Sequence, residues 1–124
     1  MWDGARLGAR GEKAAETYLR RKRYRIVTRN YLCKTGEIDL VALDGSMIVF
    51  VEVKTRTTRD YEDPESAVTT GKQERVIRAA NTFLRQTHSI GRACRFDIVA
   101  ITGTPEGDLA IEHFVNAFAP KAWT

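Results

Sequence analysis

The sequence predicts an α/β domain in which a helix, three strands, a second helix and two last strands build one central mixed sheet flanked by helices. Three observations predict it. Apolar residues recur at helical spacing in two separate stretches, Leu7 to Lys22 and Thr70 to Gln86. Between them, GEIDLVA and MIVFVEVK have strand composition and flank a hairpin signal at Asp44 and Gly45. Beyond the second helix, Arg95 to Thr102 and Leu109 to Val115 read as strands separated by the turn residues Gly103, Pro105 and Gly107. A chain of 124 residues suits one core and is too short for two, so residues 1–124 read as a single domain.

The elements follow in order. Leu7, Ala14, Ala15, Tyr18 and Leu19 give the first helix one apolar face. Tyr24 to Leu32 sets Ile26, Val27 and Tyr31 among basic residues, as expected of a strand near a sheet edge. The next two strands form an antiparallel hairpin. In the second of them, Ile48, Val49, Phe50, Val51 and Val53 supply apolar groups to both faces, which places that strand in the middle of a sheet covered on both sides. Thr55 to Thr70 is polar, contains Pro64 and has neither period, so it reads as a long loop. Thr70 with Gln73 offers an N-terminal cap for the second helix, whose stripe is Val76, Ile77, Ala80, Phe83 and Leu84.

Lys and Arg number 20 against 16 Asp and Glu, a net charge of +4, and the sequence pI is about 9.3. The excess is concentrated: Arg20, Arg21, Lys22, Arg23, Arg25 and Arg29 crowd one short stretch, which favours an anionic partner such as a phosphate backbone. No apolar run resembles a signal peptide or a membrane span, so a soluble, cytoplasmic protein is expected, without membrane attachment. Cys33 and Cys94 stand far apart without zinc-like spacing and are expected as reduced thiols. His88 and His113 stand alone and are read as non-catalytic.

The chemistry centres on the hairpin. Glu52 and Lys54 point to the same side of the central strand, and Ile48 and Phe50 share that side, so two charged groups continue an apolar surface. With a two-residue loop at Asp44 and Gly45, Asp39 lies diagonal to Glu52; with a four-residue loop it faces Glu52 directly. Even loop lengths therefore keep both carboxylates on one face, within about 8 Å at the backbone, and odd lengths separate them. Two carboxylates can hold Mg²⁺, with Mn²⁺ as a substitute, while Lys54 orients or deprotonates a water beside a phosphodiester. Catalytic candidates are thus Asp39, Glu52 and Lys54. Glu12 lies nearer the buried edge of the first helix than Glu16 and is the preferred additional ligand, with Glu16 left open and Glu37 a supporting acid.

The motifs GEIDLVA, FVEVKTR and RFDIVAI, preceded by RGEKAAETYL and TRNY, resemble the bacterial YraN-like proteins. The resemblance runs from about Leu7 to Ile101 and extends to archaeal-type Holliday-junction resolvases within the PD-(D/E)XK superfamily. It implies a restriction-endonuclease-like three-layer fold, Asp39 and Glu52 as metal ligands, Lys54 as catalytic lysine and Glu12 as the acid of the first helix. Ile38 stands where the superfamily often has proline, and the following carboxylate is kept. The function so implied is divalent-metal-dependent endonuclease action on DNA, branched or junction DNA included, and a homodimer would suit cleavage of both strands. Arg29, Arg56, Lys72, Arg23 and Arg25 are the candidates for nucleic-acid contact; Arg95 to Asp97 are expected as backbone contacts or structural supports. The alternative is a noncatalytic nucleic-acid-binding or adaptor domain on the same fold.

Overall fold

The apolar stripes of two helices are buried on opposite faces of one sheet. The computed structural model describes residues 4–57, 68–104 and 106–121. Its elements are α1 (Gly4–Arg21), β1 (Arg25–Cys33), β2 (Gly36–Asp44), β3 (Met47–Arg56), α2 (Thr70–Gln86), β4 (Cys94–Gly103) and β5 (Leu109–Phe118). The strands stand in sequence order, β1-β2-β3-β4-β5. Neighbours are antiparallel except β3 and β4, which α2 connects as a parallel crossover. This is the three-layer α/β arrangement of the restriction-endonuclease-like type. Among the described residues no helix is long and apolar enough to cross a membrane.

On the α2 face, Ile38, Val41, Ile48, Phe50, Ile98 and Phe96 meet Val76, Ala80, Phe83 and Leu84. Phe50, Phe96 and Phe118 stack in series at centroid distances of 5.3 and 5.2 Å. On the α1 face, Leu40, Ala42, Val49, Val51, Val99 and Ile101 meet Ala15 and Leu19. The expected central strand is therefore covered on both sides, and β1 lies at an edge.

Local chemistry explains the ends. Tyr24 N–H donates to the Leu19 carbonyl at 3.0 Å and Arg23 N–H to that of Arg20 at 2.9 Å, with Arg23 at φ 69, so Arg23 occupies the left-handed position that closes α1. His88, at φ 53, closes α2 in the same way, which gives this lone histidine a backbone role. The hairpin turn is Gly45–Ser46, one residue later than expected, with Asp44 paired to Met47 and Gly45 at φ 61 in the first turn position, where a type II′ turn favours glycine.

Other boundaries also moved. The cap of α2 is Thr69, not Thr70: its Oγ1 accepts from Lys72 N–H at 3.3 Å, and Gln73 Nε2 reaches back to the Val68 carbonyl at 2.9 Å. The strand β3 continues through Thr55 and Arg56, which the sequence pattern places in the loop, and residues 58–67 of that loop lie outside the described residues. The last strand runs to Phe118 because a register shift opposite Asp97 lets pairing resume at Phe96.

Candidate active site

Asp39 sits where the sheet comes apart. The β2–β3 ladder runs from Asp44–Met47 to Leu40–Val51, and the same register carried one step further sets Asp39 opposite Glu52. The Asp39 side chain then takes over from the ladder: its Oδ2 accepts the Val53 N–H at 2.8 Å. On the other flank, β1 pairs at Arg29–Leu40 and Tyr31–Ile38, and Asn30 between them is turned to φ 49. Asn is one of the few non-glycine residues that readily adopts that conformation, and it breaks the regular strand opposite Asp39.

Glu52 is only 2% exposed and follows Ile48 and Phe50 on the α2 face. Its Oε2 lies 3.5 Å from Lys72 Nζ at the start of α2. Its Oε1 is buried with no hydrogen-bond partner among the described residues. Burial and the neighbouring Asp39 charge push the Glu52 carboxyl up to about 8, with Lys72 and the Asp39 backbone N–H opposing them. Burial also raises Asp39, against the Val53 N–H and Lys72. Two carboxyls so placed resist ionising together.

The α1 acids separate clearly. Glu12 is raised by burial and then by the charges of Asp39 and Glu37, so it belongs to the same electrostatic cluster. Glu16 is instead ion-paired to Arg29 and lies near Arg20. The helix comes close enough because Gly11 packs on Thr55 and Ile101, where a Cβ would collide with the Thr55 methyl. Glu12, Glu16, Arg29, Asn30 and Asp39 together line a groove of about 320 Å³. Lys54 is half-buried on the Glu52 side of β3 and enters no hydrogen bond or ion pair among the described residues.

Among the described residues no three acidic, histidine or cysteine side chains form a ready-made metal cage. Mg²⁺ does not require one, since it keeps several waters and uses one or two carboxylates. The bare Glu52 Oε1 and the mutual repulsion of Asp39 and Glu52 are what a hard divalent cation would relieve, so the residues fit it.

A model of the uncharacterised protein family UPF0102 matches residues 11–101, from the Gly11 contact through most of β4. The chain belongs to this family. It is the YraN-like group to which the sequence motifs pointed. A UPF0102 protein of Geobacter metallireducens is 49% identical over 112 residues, covering 90% of this chain and 91% of its own. One from Geobacter sulfurreducens is 48% identical over 112 residues, with 90% and 88% covered. One from Symbiobacterium thermophilum is 46% identical over 113 residues, with 91% and 96% covered. All four acids and lysines of the hairpin and α1 cluster, Glu12, Asp39, Glu52 and Lys54, fall inside the UPF0102 match.

The basic candidates distribute differently from the sequence expectation. Arg56 is buried, 5% exposed, with its Nε donating to Thr102 Oγ1 at 3.0 Å, so its guanidinium is held inside the fold rather than offered to a backbone. Lys72, expected to touch nucleic acid, touches Glu52. Arg29 is exposed at the groove but engaged by Glu16. Arg25 pairs opposite Leu43, four residues along β2 from Asp39 and thus roughly 13 Å away at the backbone, and Arg23 lies before it in the α1 cap. Neither is brought to the carboxylates.

A second charged cluster was only half visible in the sequence. Asp97 is fully buried and accepts from Arg95 Nε at 3.0 Å, His113 Nε2 at 2.7 Å and Asn116 N–H at 2.9 Å. Arg95 also reaches Tyr24 Oη at 2.6 Å and Asp44 at 3.1 Å. Arg95 and Asp97 are thus structural supports, and His113, whose Nδ1 faces Lys22 Nζ at 3.3 Å, is one with them. The signal was an aspartate inside the otherwise apolar run FDIVAI.

Proposed function

We propose that this UPF0102 protein is a divalent-metal-dependent endonuclease that hydrolyses phosphodiester bonds in DNA, branched or junction DNA included. The observation that carries the reading is the opposition of Asp39 to a buried Glu52 with one bare oxygen, and Lys54 two residues further on the same side of β3. A sheet held together only by packing has no use for that arrangement.

In this reading Asp39 and Glu52 hold Mg²⁺ or Mn²⁺ through their carboxylate oxygens, and Glu12 orients water at the α1 side. The bound cation supplies polarisation of the phosphate and a lowered pKa for attacking water. Lys54 aligns that water, takes up or relays its proton, and stabilises charge on the phosphoryl oxygens. The Val53 N–H fixes one Asp39 oxygen, which orients the carboxylate toward Glu52. Arg29 reaches the phosphate once substrate displaces it from Glu16. A homodimer would place two such sites on the two strands of a junction.

The test is incubation of purified protein with labelled linear, flap and four-way-junction DNA in Mg²⁺, Mn²⁺ or EDTA, beside Asp39→Ala and Lys54→Ala variants. Metal-dependent products that need both residues support the endonuclease. Full activity in Lys54→Ala refutes the mechanism, and salt-sensitive binding without any product in every preparation moves the protein to the noncatalytic binding class.

A further inference from the structure

Lys72 is the ammonium that touches the carboxylate pair, and its placement is built in. Thr69 caps α2 through the Lys72 N–H, and Gln73 anchors the same turn to Val68, so the Lys72 backbone is fixed beside Glu52. Its side chain is nevertheless 49% exposed and meets a single carboxylate oxygen at the loose distance of 3.5 Å. Arg95 shows the opposite design: 14% exposed, forked, and bound to Asp97, Asp44 and Tyr24. One cation is locked in place; the other can swing into water at little cost.

Charge counting gives the half-exposed contact a purpose. Asp39 and Glu52 resist ionising together, and in the metal-free protein the single charge of Lys72 offsets one carboxylate at most. A divalent cation cancels both, and the lysine beside it then becomes an uncompensated like charge. We infer that Lys72 is the resident counter-ion of this site: it satisfies Glu52 in the metal-free protein and is displaced when a divalent cation binds, thereby weakening metal affinity. This rests on the metal-site reading proposed above, and it assigns Lys72 a role different from direct contact with a DNA backbone.

The experiment is calorimetric titration of the full-length protein with Mn²⁺, without nucleic acid, for the wild type, Lys72→Met, Lys72→Gln, Lys13→Met and Glu52→Gln. Lys13 lines the groove with Glu12 and Asp39 and removes the same charge without removing a Glu52 contact. Both Lys72 variants should bind Mn²⁺ roughly tenfold more tightly, and Lys13→Met by no more than about twofold. Two Lys72 variants of different polarity guard against a folding artefact in one of them. Wild-type binding that depends on Glu52 but is unchanged or weakened in both Lys72 variants overturns the displacement and leaves the metal site standing. Equal gains in Lys13→Met and Lys72→Met also overturn it, because the effect would then be the general field. No Mn²⁺ binding by the wild type, or unaltered binding by Glu52→Gln, removes the metal site and this inference together.

Discussion

Replacing Glu52 with Gln should make the metal-free protein more stable at alkaline pH, although it alters a buried residue. The folded carboxyl is raised from its ordinary 4.5 to about 8 by burial and by Asp39. Between those values the folded state holds a proton that the unfolded chain has released, so the Glu52 contribution to stability is most favourable below about pH 4.5 and falls as pH climbs to about 8. The full separation corresponds to a ceiling of about 5 kcal/mol. Because Glu52 and Asp39 titrate together and Lys72 follows the charge, about 3 kcal/mol is expected, or roughly 10 °C in Tm for a chain this size. Urea denaturation followed by far-UV circular dichroism in EDTA, from about pH 5 to about pH 9, measures it in both proteins. The wild type should lose stability relative to Glu52→Gln across that range, and Mg²⁺ should suppress the loss if the cation keeps both carboxylates ionised. Parallel curves in EDTA would refute the reasoning, since Glu52 would then titrate alike in the folded and unfolded chain.

Three further outcomes test how the scaffold is held. Asp97→Asn should cost about 2–3 kcal/mol by removing the charge that the half-buried Arg95 and His113 share; equilibrium unfolding measures this, and a loss below about 1 kcal/mol would contradict it. Burial alone would raise the Asp97 carboxyl, but His113, Arg95 and the Asn116 N–H hold it below its ordinary 3.8, so its contribution is present above that pH and disappears on acidification, a limb that should flatten in the variant. Gly36→Ala drives a Cβ into the Arg75 carbonyl of α2 and should cost about 1–3 kcal/mol, read as a lowered urea midpoint at unchanged slope. Gly11→Ala should push α1 off Thr55 and draw Glu12 away from Asp39, so that the Glu12 carboxyl, followed by NMR titration, moves back toward 4.5; an unmoved titration would show that α1 absorbs the methyl elsewhere.

Much of the fold was legible because periodicity and turn chemistry are local. Among the described residues, both helices, all five strands and the doubly covered β3 follow from apolar spacing. The hairpin shows where that legibility stops. An even turn was enough to keep Asp39 and Glu52 on one face, but Asp44–Gly45 and Gly45–Ser46 both satisfy that rule, and only strand pairing selects the register that sets the carboxylates opposite. The basic residues were hardest to place. Arg56 lies two residues beyond the Lys54 motif and reads as a surface cation, yet its neighbour across the parallel ladder, Thr102, comes from a strand 46 positions away. Likewise nothing near Lys72 in sequence announces a carboxylate on β3.

The two buried carboxylates among the described residues separate support from function more sharply than any motif does. Asp97 lies at a register shift and receives three donors, two from side chains and one from the Asn116 backbone, itself turned to φ 55 to deliver it. Its burial is compensated within the fold, and its carboxyl titrates below the ordinary range. Glu52 also lies where pairing breaks, with left-handed Asn30 across the Asp39 position, but Lys72 is a loose partner for one oxygen, the neighbouring Asp39 is itself an acid, and Oε1 has no well-formed hydrogen bond among the described residues. Its carboxyl is displaced in the opposite direction. Burying a carboxylate without donors costs stability unless something outside the chain completes it. The same sheet provides full solvation for Asp97 only one strand position from Ile98, the residue that pairs with Glu52, so the deficit at Glu52 reflects which residues surround it rather than an inability of the fold to supply donors. That difference is why the incomplete carboxylate, not the complete one, is assigned to chemistry.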